Sequence, residues 1–404
     1  MPKNNLSRLV AERQFLYFWS GRFTGMTANQ MLMVAIGWQM YDLTHSAWDL
    51  GLVGLVQFVP ALMLTLPAGH VADRLSRSRI LAVCMLVQAA ASMFLLAATT
   101  QHFASRELIL AVSVLLGTAR AFQMPAQQAL IPLLVPSDLL GQAIALGATG
   151  MQAAIIGGPA LGGLLYAAGA DVVYWVSTLL LLVSGVLMML VRYAHRPDKT
   201  ETSLTTVFAG VRFVWANKIL LGATSLDLFA VLLSGATALL PMFARDILHT
   251  GPEGLGLLRA APAGGALMMS LVLLRWPLHK RAGHILLVAV AIFGAATVVF
   301  GLSGSFWLSL LALAVTGAAD NISVVIRQTL VQVETPNEIR GRVSAVNSIF
   351  IGTSNQLGEF ESGATAALLG PVGSVVLGGI GTLVVAALWF RLFPALARRD
   401  RLLG

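Results

Sequence analysis

The sequence predicts an all-α membrane protein with twelve transmembrane helices in two pseudo-symmetric six-helix bundles, and with both termini in the cytoplasm. Composition, recurring apolar stretches and an internal repeat lead to this prediction. The chain has 404 residues, of which 57% are hydrophobic and 11% are charged, whereas soluble proteins carry about 25% charged residues. So few charges cannot cover a globular surface. The apolar content and the single cysteine also exclude a disordered chain and a disulfide scaffold.

Apolar stretches long enough to cross a bilayer recur along the whole chain. A transmembrane helix needs about 20 mostly apolar residues, and a chain of this length with short loops has room for about twelve. Prolines within the stretches do not argue against helices, because membrane helices tolerate them where neighbours re-satisfy the freed backbone groups. The predicted spans cover residues 15–41, 50–70, 80–98, 108–129, 142–167, 172–193, 219–248, 254–274, 285–302, 306–330, 343–369 and 372–393.

Lysine and arginine residues concentrate at one set of span ends. Twenty of the 26 lie on the side that holds both termini, three lie on the opposite side, and three lie within spans. Basic loops stay in the cytoplasm, so both termini are predicted to be cytoplasmic. The net charge of +8 thus follows from membrane topology and does not indicate a nucleic-acid partner.

The two halves of the chain repeat each other with a shift of 200 residues. Two parallel repeats of six spans predict a pseudo-two-fold axis along the membrane normal, with a substrate site between the halves near the midplane. The clearest matches fall within residues 116–146 and 316–346 and continue beyond them. They include Gly117/Gly317, Gln128/Gln328, Pro136/Pro336, Gly141/Gly341, Gly158/Gly358 and Gly163/Gly363.

The repeat divides the chain into three predicted parts. Residues 1–193 form an N-terminal six-helix bundle, 194–218 a cytoplasmic linker, and 219–404 a C-terminal six-helix bundle. The linker has two interpretations, a passive connection or an amphipathic helix that lies on the cytoplasmic surface.

The loop between the second and third predicted spans carries a glycine, an acid and three arginines at fixed spacing. It reads Gly69-His-Val-Ala-Asp73-Arg74-Leu-Ser-Arg77-Ser-Arg79. This segment resembles the G-x-x-x-D-[RK]-x-x-[RK]-[RK] motif of the major facilitator superfamily, with Ser78 at one of the basic positions. The resemblance implies the major facilitator fold. It also implies a cytoplasmic gate, in which Asp73 caps the start of span eleven near 341–343 and the arginines pair with acids. The alternative is that the arginines only set topology.

Span five carries a second motif, Gly157-Gly158-Pro159-Ala-Leu-Gly162-Gly163. It resembles the Gly-Pro-x-x-Gly-Gly core of a motif associated with proton-driven exporters, which implies a helix bend at Gly158, Pro159, Gly162 and Gly163. Small residues also permit close helix approach, so a packing role is the open alternative.

The whole chain resembles the superfamily, and within it most resembles the enterobactin-exporter-like branch of bacterial efflux proteins. That branch implies a monomer in the bacterial inner membrane that exports a small amphiphilic or siderophore-like compound in exchange for protons. Small-molecule substrate, protons and membrane lipids are then the expected partners. The segments that carry the resemblance are 41–52, 238–248 and 335–343.

Four acids lie within predicted spans, at Asp227, Asp320, Glu359 and Glu361. A charge at the bilayer centre costs about 2.5–3.5 kcal/mol on insertion scales, so these side chains should face the protein interior. A carboxyl group withdrawn from water binds its proton more readily, which suits proton coupling. Asp227 and Glu359 are the first candidates, followed by Asp320 and then Glu361. Glu359 and Glu361 are two residues apart and cannot share a helix face.

Three arginines also lie within spans and are candidates for the substrate cavity. Arg120 and Asp320 occupy equivalent positions of the repeat, and Arg327 follows Asp320 by two helical turns, so the latter two should form a polar stripe. The alternative is a structural network inside one half. Arg22 can bind an anionic group, or it can pair or extend to the cytoplasmic interface.

The chain lacks the signatures of other functional classes. It contains no nucleotide-binding loop, catalytic triad or zinc-ligand spacing, so we expect no enzyme activity, no cofactor and no metal. Two alternatives to proton-coupled export stay open. One is an uncoupled facilitator or a lipid or lysolipid flippase, and the other is a membrane receptor without transport.

Overall fold

The computed structural model of the chain describes residues 5–193, 211–276, 278, 280–336 and 339–400, and its architecture is helical. The predicted linker 194–218 therefore lies mostly outside the described residues. The helices are α1 (Asn5–Ala11), α2 (Arg13–Thr44), α3 (Ala47–Arg74), α4 (Arg77–Thr100), α5 (Arg106–Leu130), α6 (Leu140–Ala168), α7 (Ala170–Leu190), α8 (Lys218–Leu233), α9 (Pro252–Arg275), α10 (Ala282–Leu302), α11 (Phe306–Glu334), α12 (Arg340–Leu392) and α13 (Pro394–Ala397).

Ten helical segments of the described chain are long and apolar enough to cross a membrane, by length and composition. Helix α2 coincides with the first predicted span but is not among the ten, because Arg22 and several amide and hydroxyl side chains lower its hydropathy. Segment Phe350–Leu392 counts once, although it holds two predicted spans. Twelve spans therefore stay a prediction.

Helix α12 reverses direction at Gly370. Gly370 has φ 76° and ψ 165°, a backbone conformation that is essentially restricted to glycine. The Ser374 hydroxyl donates to the Ser362 carbonyl across 3.0 Å, whereas twelve residues of continuous helix would separate these positions by about 18 Å. The two arms of α12 are therefore antiparallel neighbours.

The chain forms two compact units. The first unit comprises Met1–Thr44, Val56–Thr202 and Gly251–Ala260, and the second comprises His45–Leu55, Ser203–Thr250 and Ala261–Gly404. In the first, α2 packs on α6 and α7, and α4 packs on α5 and α7. In the second, α10 packs on α11 and α12, and α12 packs on α8. Two of the boundaries between the units lie within helices, after Leu55 in α3 and after Ala260 in α9.

Each unit contains a close approach between glycines of two helices. In the first unit, a Cβ added at Gly163 of α6 would lie 2.9 Å from the Cα of Gly256 in α9. In the second, a Cβ added at Gly51 of α3 would lie 3.1 Å from the Cα of Gly363 in α12. Transmembrane helices associate through such small-residue contacts, because lipid supplies no hydrophobic driving force between them.

The seventh predicted span is not one regular helix. Helix α8 ends at Leu233, and Ser234 and Gly235 interrupt it. A 3₁₀ turn (Ala236–Leu239), a short α turn (Leu240–Met242) and a π turn (Phe243–Ile247) complete the segment. Gly235 is required at the break, because a Cβ there would collide with the carbonyl group of Gly358.

Candidate ion-coupling and substrate site

A buried ion pair joins α8 and α11 in the second unit. The Arg327 Nη1 atom lies 2.5 Å from the Asp227 Oδ2 atom. Only 5% of Asp227 and 3% of Arg327 is exposed. A pair this deeply buried is strongly destabilising to break, because either partner alone would be an uncompensated charge.

Asp320 lies on the same face of α11 as Arg327 and beside Asp227. A void of about 10 Å³ is lined by Asp227, Asp320 and Ser323 together with apolar residues, and this volume is close to the minimum for one water molecule. Ser323 is 3% exposed, and its hydroxyl has no hydrogen-bond partner among the described residues. Buried hydroxyls normally have a partner, so the void is a polar site.

A larger cavity of about 200 Å³ adjoins this void. The two share Val231, Phe293 and Asp320 in their linings. Its wall also includes the break after α8 at Ser234 and Gly235. The remaining lining residues are Ala236, Thr237, Pro262, Thr297, Phe300, Leu313, Thr316, Gly317, Asn355 and Glu359.

Two carboxyl groups and one basic group meet at the void. The Arg327 guanidinium group pairs with Asp227, and Asp320 lies beside this pair. No cation of the described chain lies within ion-pair distance of Asp320. The site can therefore accept a positive charge, either as a proton on a carboxylate or as a cationic ligand.

The two glutamates of α12 have different surroundings. Glu359 lines the cavity, and its Oε2 atom lies 2.9 Å from the position of a Cβ on Gly54 in α3. Glu361 instead accepts a hydrogen bond from the Thr365 hydroxyl across 2.6 Å. Asn355 also lines the cavity, one helical turn before Glu359.

The two intramembrane arginines of the first unit contact methionine sulfur atoms. Arg22 Nη2 lies 3.5 Å from the Sδ atom of Met151 in α6. Arg120 Nη2 lies 4.0 Å from the Sδ atom of Met33 in α2. A thioether is a weak acceptor, so the contact with Met151 binds the Arg22 guanidinium group less strongly than Asp227 binds that of Arg327.

The predicted gate motif lies at the junction of α3 and α4. Gly69 and Arg74 belong to the last turns of α3, and Arg77 and Arg79 to the first turn of α4. The backbone N–H of Arg77 donates to the Tyr193 hydroxyl across 2.7 Å. This hydrogen bond connects the start of α4 to the segment that follows α7.

The side chain of Asp73 lies outside the described residues, as does that of Arg342 at its predicted target. The gate therefore stays a prediction. Gly69 has no neighbouring atom of the described chain within 4 Å of an added Cβ, so close packing does not require glycine there.

The predicted helix-bend motif is a packing surface on α6, which continues as a helix through Pro159. A Cβ at Gly158 would lie 2.6 Å from the Gln30 side chain, and one at Gly162 would lie 2.8 Å from the Met31 Cα atom. The carbonyl of Pro159 and the backbone of Gly163 meet Gly256 of α9. The packing role is thus visible, and the implied export role stays a prediction.

Three features of the site were missed by the sequence analysis, namely Ser323, Asn355 and the break at Ser234–Gly235. Helical spacing could have found the first two, because Ser323 follows Asp320 by three residues and Asn355 precedes Glu359 by four. A Ser-Gly pair followed by Pro241 within an apolar stretch is also a signal of an interrupted helix.

Comparison with known families gives a match over nearly the whole chain. Residues 7–400 match the family described as transmembrane secretion effector. The enterobactin exporter EntS of Citrobacter koseri is 27% identical, over 98% of this chain and 95% of its own length. The enterobactin exporter EntS of Shigella boydii serotype 18 is 26% identical over the same shares.

Solved structures of transporters share the fold. A bacterial homologue of the human lysosomal transporter Spinster has a TM-score of 0.73 at 15% identity, over 98% of this chain and 99% of its own. A mutant of the nucleoside transporter NupG has a TM-score of 0.72 at 15% identity, over 94% and 100%. These relatives and neighbours are transporters and not enzymes.

Proposed function

The chain belongs to the transmembrane secretion effector family of the major facilitator superfamily, and we propose that it exports a small amphiphilic or siderophore-like compound in exchange for protons. It is a secondary transporter of the major facilitator type and a multi-pass membrane protein. The proposal places it in the bacterial inner membrane as a monomer with twelve spans and cytoplasmic termini. Ten apolar segments, helix α2 and the reversal at Gly370 support the number of spans.

The observation that carries proton coupling is the position of Asp320 beside the Asp227–Arg327 ion pair, where two carboxyl groups lie near one guanidinium group. Asp227 and Asp320 line the void, and Asp320 and Glu359 line the adjoining cavity. A net negative charge inside a membrane is costly, so binding of a proton stabilises the cluster. Asp320 and Glu359 are the proposed proton carriers, with Asp227 held by its ion pair and Glu361 last.

Transport by alternating access requires that proton and substrate bind differently to the two access states. In this proposal, protonation of Asp320 or Glu359 changes the charge beside the cavity and so shifts the balance between the states. Arg22 and Arg120 are the proposed substrate contacts of the first unit, because both lie within predicted spans and a guanidinium group can bind an anionic group of the cargo.

The test is pH-gradient-driven transport of radiolabelled enterobactin and of a lysolipid in proteoliposomes. We expect uptake of the siderophore against its gradient into vesicles with an acidic interior, and at least a tenfold loss in Asp320→Asn and in Glu359→Gln. Circular dichroism and thermal unfolding in detergent check that these variants fold.

Two results would contradict the proposal. Transport that is indifferent to the pH gradient would identify an uncoupled facilitator, or a flippase if lysolipid is the cargo. Normal gradient-driven transport by the amide variants of Asp227, Asp320, Glu359 and Glu361 would show that none of these acids couples protons.

A further inference from the structure

The void of about 10 Å³ lies between a carboxyl group that reaches the cavity and one that does not. Asp320 lines both spaces, whereas Asp227 lines the void and is absent from the described wall of the cavity. Only 5% of Asp227 is exposed, and its ion-pair partner Arg327 is equally buried. A proton that moves from the cavity into the void therefore passes Asp320, and the void is the space that joins Asp320 to Asp227.

Ser323 lies between the two ends of this path on the helix that carries Asp320. It follows Asp320 by three residues and precedes Arg327 by four, so the three side chains share one face of α11. Arg327 is the residue that pairs with Asp227. Ser323 is 3% exposed and lines the void. Its hydroxyl is therefore buried in the same small space as both carboxyl groups.

The Ser323 hydroxyl does not bond to its own helix, although hydroxyl groups inside helices commonly donate to a backbone carbonyl one turn earlier. On α11, the Thr316 hydroxyl donates to the Leu313 carbonyl across 2.6 Å. The Thr329 hydroxyl donates to the Val325 carbonyl across 2.8 Å. The Ser323 hydroxyl has no hydrogen-bond partner among the described residues, and buried hydroxyls normally have one. A molecule in the void would supply that partner.

The size and the lining of the void fit one water molecule. A buried water needs a space of about 10–15 Å³ and two to four polar partners. The described lining offers three polar side chains, those of Asp227, Asp320 and Ser323, and is otherwise apolar. Each of the three can donate or accept a hydrogen bond when its carboxyl or hydroxyl group faces the water.

Few charged groups surround the void. Asp227 comes from α8, and Asp320 and Arg327 come from α11. Helix α10 contributes apolar side chains to the described lining, and Glu359 of α12 lines the adjoining cavity and not the void. The two ends of a proton path through the void are therefore Asp320 and Asp227, and Arg327 is the cation beside it.

We propose that Ser323 holds one water molecule in this void and that the water passes protons between Asp320 and Asp227. The Asp320 carboxyl group gives its proton to the water, and the water gives another proton to the Asp227 carboxylate. One O–H bond breaks at Asp320 and one forms at Asp227, so the net charge is unchanged, while Arg327 loses its anionic partner. Ser323 is a positioning residue, and its part in transport rests on the proposed function.

Infrared difference spectroscopy of the full-length protein in detergent tests the water site. Spectra at acidic and alkaline pH are compared in ordinary water and in water labelled with a heavy oxygen isotope, which shifts only the bands of water. We expect a band of a strongly hydrogen-bonded water molecule in the wild type. It should vanish in Ser323→Val, whose larger apolar side chain fills the void, and it should move to higher frequency in Ser323→Ala, which removes one hydrogen bond.

Transport in proteoliposomes tests the proton path. Ser323→Val should slow pH-gradient-driven transport of enterobactin at least tenfold, and Ser323→Ala should slow it about threefold through one lost hydrogen bond. The ratio of the rates in H2O and D2O should rise at least twofold in Ser323→Ala, because proton transfer then limits the rate. A merely structural role of the serine would not change this ratio.

Ser309→Ala is the matched control. Ser309 is also a buried serine of α11 whose hydroxyl has no partner among the described residues, but it lines neither the described void nor the described cavity. The water band, the transport rate and the isotope ratio should stay as in the wild type. If Ser323→Val does not fold, Ser323→Ala decides both tests.

An unchanged water band in the folded Ser323 variants would overturn the water site. An unchanged transport rate and isotope ratio in the same variants would overturn the proton path. The spectra need neither a gradient nor a cargo, so the failure of the proposed function can be told apart. A wild type with the water band but without pH-driven transport would contradict the proposed function and leave the water site standing, whereas pH-driven transport without the band would contradict the site alone.

Discussion

The two units of the chain pack their helices in the same way but differ in what they bury. The contact between Gly163 and Gly256 in the first unit has its counterpart between Gly363 and Gly51 in the second, and Gly163 and Gly363 are related by the shift of 200 residues. The polar interiors have no such correspondence.

The interior of the first unit is held by neutral hydrogen bonds. The Tyr174 hydroxyl donates to the Gln39 side-chain oxygen across 2.5 Å, and the Gln39 amide donates to the Thr99 hydroxyl across 2.9 Å. The second unit instead buries the Asp227–Arg327 ion pair beside Asp320 and an internal cavity. Repetition has therefore kept the backbone contacts on which the fold depends, while the second unit buries the Asp227–Arg327 salt bridge.

The largest effect that tests this contrast is expected from Arg327→Met. The change leaves Asp227 without its ion-pair partner and should lower the free energy of unfolding by about 3–5 kcal/mol. Thermal unfolding in detergent measures it. The double variant with Asp227→Leu should recover most of the loss, since an apolar pair can replace a buried ion pair. Arg22→Met, which removes a methionine contact in the first unit, should cost much less, and an equal cost would remove the contrast.

A smaller effect is expected from Gly163→Ala, which tests the shared packing. The added Cβ would lie 2.9 Å from the Gly256 backbone, and such overpacking costs about 1–3 kcal/mol. Gly157→Ala, six residues earlier on α6, is the control, because no atom of the described chain lies within 4 Å of its added Cβ. Equal unfolding temperatures for the two variants would argue against the glycine contact.

The smallest effect is expected from Tyr174→Phe, which removes one neutral hydrogen bond from the first unit. Interhelical hydrogen bonds in membrane proteins contribute about 0.6 kcal/mol and at most about 1.7, so the unfolding temperature should fall only slightly. Ser177→Ala on the same helix is the comparison, because the Ser177 hydroxyl is buried without a partner and its loss should be neutral. A loss as large as that of Arg327→Met would show that neutral bonds and ion pairs contribute equally.

The membrane fold could be predicted from sequence because it depends on long apolar runs, and these determine helices almost independently of tertiary contacts. Family membership could be predicted from short motifs. In one of these motifs, the side chain of Asp73 lies outside the described residues. The interruption at Ser234–Gly235 was not predicted, because hydropathy is averaged over many residues and does not register a local loss of helical hydrogen bonds.

Prediction of the candidate site was incomplete for a related reason. The sequence indicated that Asp320 and Arg327 share a helix face, since both lie on α11 two turns apart. It could not pair Arg327 with Asp227, because the two are 100 residues apart and meet only when α8 packs near α11. The position of Ser323 near the acids became visible only through a void of about 10 Å³ that all three residues line, and no sequence pattern encodes a void.

The reversal at Gly370 constrains how the protein is made. The loop there is only a residue or two long, and a residue reaches at most about 3.6 Å, so it cannot cross a hydrocarbon layer about 30 Å thick. Neither arm of α12 can therefore span the bilayer in the correct orientation while the other arm is still outside it. We expect the two arms to leave the ribosome-bound insertion machinery as a joined pair, and a long insert at Gly370 should uncouple their entry.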